Sequence, residues 1–162
     1  MGMSNLLEIL RQQVDSNLPD LNTNDSPASL QVEAKHLLAV AKVLYTHPDL
    51  YFDSLSCITG IDNGPTLGTM EVAYNLYSIP YHQSLMLKVV VPRSVEAMPV
   101  VPSLTGIWRT ADWHEREAYD LLGIYFEGHP DLRRILMPAD WVGHPLRKDY
   151  QDPSTYRGIT VK

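Results

Sequence analysis

A chain of 162 residues, 44% apolar and 20% charged, is long enough for one filled core and too short for two. Its formal charge of −6 argues against a coat for nucleic acid or anionic lipid. Its single cysteine, Cys57, excludes an internal disulfide and a thiolate cluster for zinc or iron–sulfur.

The N-terminus, MGMSNLLEILRQQ, has neither the basic start nor the long apolar run of a signal peptide. No apolar stretch approaches the roughly 20 residues that span a bilayer, so the chain is expected in the cytosol, reaching a membrane only through partners. Leu6, Leu7, Leu10, Val14 and Leu18 recur at helical spacing and predict a helix over 4–18 with Ser4 as N-cap. SLQVEA reads as a short strand. Leu37, Leu38, Ala41, Leu44 and Tyr45 form a second helical stripe, which Pro48 stops. LYFDSLSCITGI is strand-like, with Cys57 as a small core residue, and DNGPTLG is a turn. Met70, Val72, Tyr74 and Leu76 alternate, as do Leu85, Leu87, Val89 and Val91. The predicted fold class is therefore α+β: a small, mostly antiparallel sheet of about four strands flanked by helices, with an extended irregular C-terminal tail.

Residues 92–102 read as loop, 103–108 as a short helix and 112–122 as a clearer one. Asp112 and Glu115 resemble a capping box there, and Gly123 suits the C′ position. Beyond Gly123 the periodicity fails. The chain is divided accordingly, with 1–123 as the α+β domain and 124–162 as the tail. That tail keeps Phe126, Leu132, Ile135, Leu136, Trp141, Leu146 and Tyr150, too apolar a set for a disordered segment. It is also mildly basic. Residues 1–130 hold 7 Lys+Arg against 15 Asp+Glu, and residues 131–162 hold 6 against 4. Interrupting aspartates make an acidic protein a better partner for it than a nucleic acid.

Two Gly-His-Pro triplets, Gly128-His129-Pro130 and Gly143-His144-Pro145, are each followed by a leucine and paired basic residues. Their spacing fits no zinc site, and proline biases each histidine toward extended backbone, so both read as hydrogen-bonding structural residues. HERE at 114–117 lacks the second histidine of HExxH. Glu117 and Asp120, three apart on one helix face, could do acid–base work if buried. Capture by Arg133 or Arg134, or by a partner's arginines, is the more economical use. The residues alone thus describe an assembly subunit better than a stand-alone acid–base enzyme.

The stretch EREAYDLLGIYFEGHPDLRRIL resembles the signature of the 30-kDa subunit family, the C subunits of proton-translocating NADH:quinone oxidoreductase, respiratory complex I. Glu115, Arg116, Glu117, Asp120, Leu121, Leu122, His129, Arg133, Ile135 and Leu136 fill its positions in register. MPADWVGHPLRKDY is similar to the family's closing segment. The resemblance implies a non-catalytic subunit of the peripheral arm with no cofactor of its own, the FMN and iron–sulfur clusters lying in partner subunits. It implies packing against the quinone-pocket subunit and the terminal iron–sulfur subunit, at the cytoplasmic face of the inner membrane. Gly128 to Tyr150 would then be a docking strap, with Arg133, Arg134, Arg147 and Lys148 as charged anchors and Asp149 and Tyr150 closing it. Gln151 stands where relatives often have proline, so the last contacts are expected to differ. Ferredoxin-driven quinone reductases and membrane-bound hydrogenases use a similar subunit, and these residues do not choose the electron donor.

Overall fold

Alternation of apolar and polar residues builds the sheet, and the helical stripes cover one side of it. The computed structural model describes residues 3–94 and 96–160. Its elements are α1 (Met3–Gln13), β1 (Ser29–Gln31), α2 (Ala34–Thr46), β2 (Ser54–Asp62), β3 (Thr69–Ser78), β4 (Gln83–Pro92), β5 (Val100–Pro102), α3 (Ala111–Leu122), β6 (Tyr125–Glu127), β7 (Thr155–Tyr156) and β8 (Ile159–Thr160). Strands β2, β3 and β4 form an antiparallel meander, and β1 joins its far edge parallel to β4, giving the order β1-β4-β3-β2. The mostly antiparallel four-stranded α+β fold is thus as expected.

Met70, Val72, Tyr74 and Leu76 of β3 and Leu85, Leu87, Val89 and Val91 of β4 are buried. They join Leu37, Val40, Ala41 and Leu44 of α2 in one core cluster. Each valine, leucine or methionine among them, withdrawn from water, contributes roughly 1.5–3 kcal/mol. Helix α1 packs on α2, α2 on β4 and β5, and α3 on β2. The last approach is close because residue 60 is glycine: a Cβ there would run into Leu122 and touch Ala118.

Several local expectations give way to longer-range bonds. Helix α1 ends at Gln13 and Leu18 is buried beyond it. The helix starts before Ser4, whose side chain lies outside the described residues. Leu38 is exposed, and Val40 takes its place in the stripe. Cys57 is only half-buried, beside a bulge between Leu55 and Cys57. The stretch read as loop over 92–102 ends in β5, which pairs parallel with β6 at Val100–Tyr125, Val101–Phe126 and Pro102–Glu127. No helix forms over 103–108. Ile107 N–H and Trp108 N–H both bond to Leu104 O, a single turn that does not propagate. Nor is there a capping box: the N-cap is Thr110, its hydroxyl donates to Leu55 O, and Glu115 turns inward.

The chain after Gly123 starts inside the core, with Ile124 and Phe126 buried. From Gly128 onward it is irregular up to the small β7–β8 hairpin.

Candidate functional site

Helix α3 turns about 100° per residue, so the four charged residues of its motif point in different directions. Glu115 is wholly buried. Its Oε2 accepts from Ser103 Oγ at 2.6 Å and its Oε1 from Leu104 N–H at 2.7 Å, which braces the segment between β5 and α3. Burial pushes its carboxyl up to about 7 against the pull of those two bonds. Arg116 lies 5.0 Å from the Trp113 ring, reaches Asp112 Oδ1 at 3.9 Å and donates from Nε to Arg133 O at 3.2 Å. Glu117 is exposed. Asp120 is fully buried, and its Oδ2 accepts from the N–H groups of Ile135 (3.0 Å), Leu136 (2.7 Å) and Met137 (2.9 Å). Its Oδ1 stands 3.3 Å from Arg134 Nη1, a charge contact without hydrogen-bond geometry. The pair of carboxylates that acid–base chemistry would need does not form. One faces water, and the other is committed to the tail's backbone.

The second triplet closes the helix. Gly123 takes the left-handed conformation (φ 71°) and its N–H bonds to Tyr119 O. Of the carbonyls that follow, Asp120 O accepts from His144 Nδ1 (2.9 Å) and Leu121 O from Leu146 N–H (3.0 Å). Leu122 O accepts from Arg147 Nε (2.7 Å), and Gly123 O from Arg147 Nη2 (3.4 Å). Groups that a helix end leaves bare are therefore all met by the tail, and a cation sits where the helix dipole favours one. Burial pushes the His144 imidazole down, toward the neutral form that donates from Nδ1.

The first triplet grips the other end of the helix. His129 Nδ1 accepts from Asp131 N–H at 3.0 Å, so its Nε2 carries the hydrogen and donates to Asp112 O at 3.2 Å. Gly128 and Pro130 lie exposed beside it, and Pro145 is half-buried beside His144. Arg134 Nη2 donates to Gly143 O (2.9 Å), tying the two triplets together, and Trp141 Nε1 donates to Tyr150 OH (3.0 Å).

Two residues read only as turn and loop prove central. Asp62, at the end of β2, accepts from Arg93 Nε and Gly64 N–H through Oδ1 and from Lys148 N–H through Oδ2, each at 2.9 Å. Burial alone would raise its carboxyl, but Arg93 and the two N–H groups outweigh it and hold it below the ordinary range. Arg93 also ion-pairs with Asp149. Gly64 apart, their partners lie 31 to 86 positions away in sequence, and no local pattern carries such a signal.

Of the four basic anchors, Arg134 and Arg147 thus point into the chain. Arg133, paired with Asp131 at 2.9 Å, and Lys148 remain exposed. On α3 and the tail, Trp113 (65% exposed), Leu136 (60%), Leu146 (59%) and Val142 (85%) also stand in water. Fold and site together define a class: a small α+β module that fastens its own tail and offers that tail outward, the build of a component made for assembly.

The family described as "Respiratory-chain NADH dehydrogenase, 30 Kd subunit" matches residues 30–156, and the chain belongs to it. It is 41% identical over 155 residues to the NADH-quinone oxidoreductase C subunit of Chloroherpeton thalassium, covering 94% of this chain and 62% of that relative. It is 36% identical over 156 residues to the C subunit of Chlorobium phaeobacteroides, covering 95% and 92%. With that of Geotalea uraniireducens the identity is 39% over 153 residues, covering 92% and 90%. The fold is also that of a chain in the membrane-bound sulfane sulfur reductase, an archaeal respiratory membrane complex, at TM-score 0.65 and 22% identity, over 89% of this chain and 84% of that one.

Proposed function

We propose that this chain is a structural, non-catalytic subunit of the peripheral arm of a proton-translocating NADH:quinone oxidoreductase. It supports electron transfer from NADH to quinone without handling the electrons. The observation that carries this is the family match over residues 30–156, which spans the whole motif from Glu115 to Tyr150. In this reading FMN and the iron–sulfur clusters belong to partner subunits. The tail over 124–162 is the docking element, facing the quinone-pocket subunit and the terminal iron–sulfur subunit. The complex carries the chain at the cytoplasmic face of the membrane; among the described residues no helix is long and apolar enough to cross one.

The geometry supports a division of labour within the motif. Asp120, Arg134, His144 and Arg147 shape the tail, while Arg133, Lys148 and the exposed apolar residues meet the partner. Affinity purification of a tagged chain from gently solubilised membranes tests this. The expected result is co-purification of a large assembly that oxidises NADH with a quinone acceptor. In that assay Arg133→Glu should lose the assembly while the free chain stays folded, since among the described residues Arg133 bonds only to its exposed neighbour Asp131 and to Arg116 through its carbonyl. A tagged chain recovered alone from respiring cells would refute the proposal.

A further inference from the structure

A fully buried carboxylate needs a cation or a full set of donors to stay charged, and among the described residues Glu115 has no ion pair and two hydrogen bonds. Its two hydrogen-bond partners, Ser103 Oγ and Leu104 N–H, are neutral. Arg116, its neighbour in sequence, turns away to Arg133 O and Asp112. The titratable groups that face Glu115 are Asp112, on its own helix, and Tyr74, on β3. Asp112 opposes a second negative charge. The Tyr74 hydroxyl is buried with no hydrogen-bond partner among the described residues, and burial, with Glu115 adding to it, keeps that phenol protonated. From the segment between β5 and α3, Glu115 is met by the Ser103 hydroxyl and the Leu104 N–H, while Arg109 of that segment lines the surface beside Thr105.

Those hydroxyls form a line. Glu115 Oε2 is 2.6 Å from Ser103 Oγ, and Ser103 Oγ is 2.8 Å from Thr105 Oγ1. Thr105 is half-buried and borders an open surface hollow with Gly106, Arg109 and Trp113. A buried acid is therefore joined to solvent by two hydroxyl groups, each able to donate and accept.

We infer that Glu115 is a buried proton-binding site, loaded and emptied through Thr105 and Ser103, so that the segment over 103–105 reverses its hydrogen-bond polarity between the two protonation states. When Glu115 is ionised, Ser103 O–H donates to Oε2 and Thr105 O–H donates to Ser103. A proton arriving at Thr105 displaces the hydrogen there onto Ser103, and the Ser103 hydrogen passes to Oε2. One O–H bond is formed at Glu115, one proton leaves solvent, and every hydroxyl keeps one hydrogen. The carboxylic acid then donates to Ser103, Ser103 to Thr105, and Thr105 outward into the hollow. The carboxyl's displacement to about 7 puts this exchange in the physiological range.

Carbon-13 NMR of the full chain, labelled at glutamate carboxyl carbons, reads the site directly. The Glu115 carbon is expected to titrate with a midpoint near neutrality, and the Leu104 amide to follow the same curve. Glu115→Gln should flatten the Leu104 titration. Ser103→Ala should slow proton exchange at least tenfold, splitting or broadening the Glu115 resonance at its midpoint. A Glu115 carbon fully ionised by pH 5.5 overturns the proposal, even if the Gln variant fails to fold. So does a Leu104 titration that survives Glu115→Gln. Exchange in Ser103→Ala as fast as in the parent overturns the hydroxyl route.

Discussion

Replacing Asp120 by alanine removes the most connected side chain of the site. Three N–H groups at 2.7–3.0 Å lose their acceptor, and the Arg134 guanidinium loses the anion 3.3 Å away. Each donor left unsatisfied when buried costs about 1–3 kcal/mol, and stripping one partner from a buried charge pair costs about 3–5 kcal/mol. These do not add. Leu136 is exposed and Ile135 half-buried, so part of the freed backbone finds water. A loss of about 3 kcal/mol in unfolding free energy is expected, and about half that for Asp120→Asn, which keeps the shape and one acceptor but not the charge. Urea unfolding measures it. Limited trypsin digestion shows where it acts: cleavage at Arg133 or Arg134 should precede loss of far-UV helix signal, because the tail peels before the core melts. Glu117→Ala, on the same helix but exposed, should stay within about 0.5 kcal/mol of the parent. An Asp120→Ala chain with an unchanged midpoint and a trypsin-resistant tail would show that the carboxylate does not hold the tail.

Arg147→Met keeps the aliphatic stem but frees Leu122 O and Gly123 O, for an expected cost of about 1–2 kcal/mol by urea unfolding. Gly123→Ala should cost more than about 1 kcal/mol. Its φ of 71° disfavours a side chain, and the added Cβ would lie 2.5 Å from His144 Nε2. Stability should also fall with rising pH through Glu115. Its folded carboxyl titrates near 7 against an ordinary 4.5, so the unfolded chain ionises first. The favourable term is intact below about 4.5 and lost as pH rises through 7, worth about 3 kcal/mol at roughly 1.4 kcal/mol per unit. Differential scanning calorimetry of the parent against Glu115→Gln across pH 5–8 isolates it. Equal pH slopes in the two proteins would count against it.

Legibility in the sequence followed the range of the interactions. The alternation Met70 to Leu76 and Leu85 to Val91 is a period-two pattern fixed by nearest neighbours, and every one of those residues is buried. Pro48 ends α2 by its effect on His47, and Gly123 ends α3 by its own φ; both are local. The capping box failed because Thr110 and Glu115 answer to Leu55 and to Ser103 and Leu104. Strand β5 is three residues long and exists only because β6, 25 positions on, lies beside it. The charged motif is legible by resemblance, and the family match agrees with that. What the letters did not disclose was direction. Arg133 and Arg134 are adjacent and chemically identical, yet one faces solvent and the other the buried side of the tail.

If the tail docks as proposed, its self-fastening has a thermodynamic consequence for assembly. A free irregular segment would have to be ordered on contact, at a cost of roughly 1–2 kcal/mol of backbone entropy per residue. Here that ordering is completed during folding, by Asp62, Asp120, His144 and Arg147, before any partner arrives. Encounter then resembles the docking of two rigid bodies. Association should proceed in one step at about 10⁵–10⁷ M⁻¹s⁻¹, with no slow folding phase. Substitutions that loosen the tail would weaken the complex without touching its contact surface, through lost preorganisation alone.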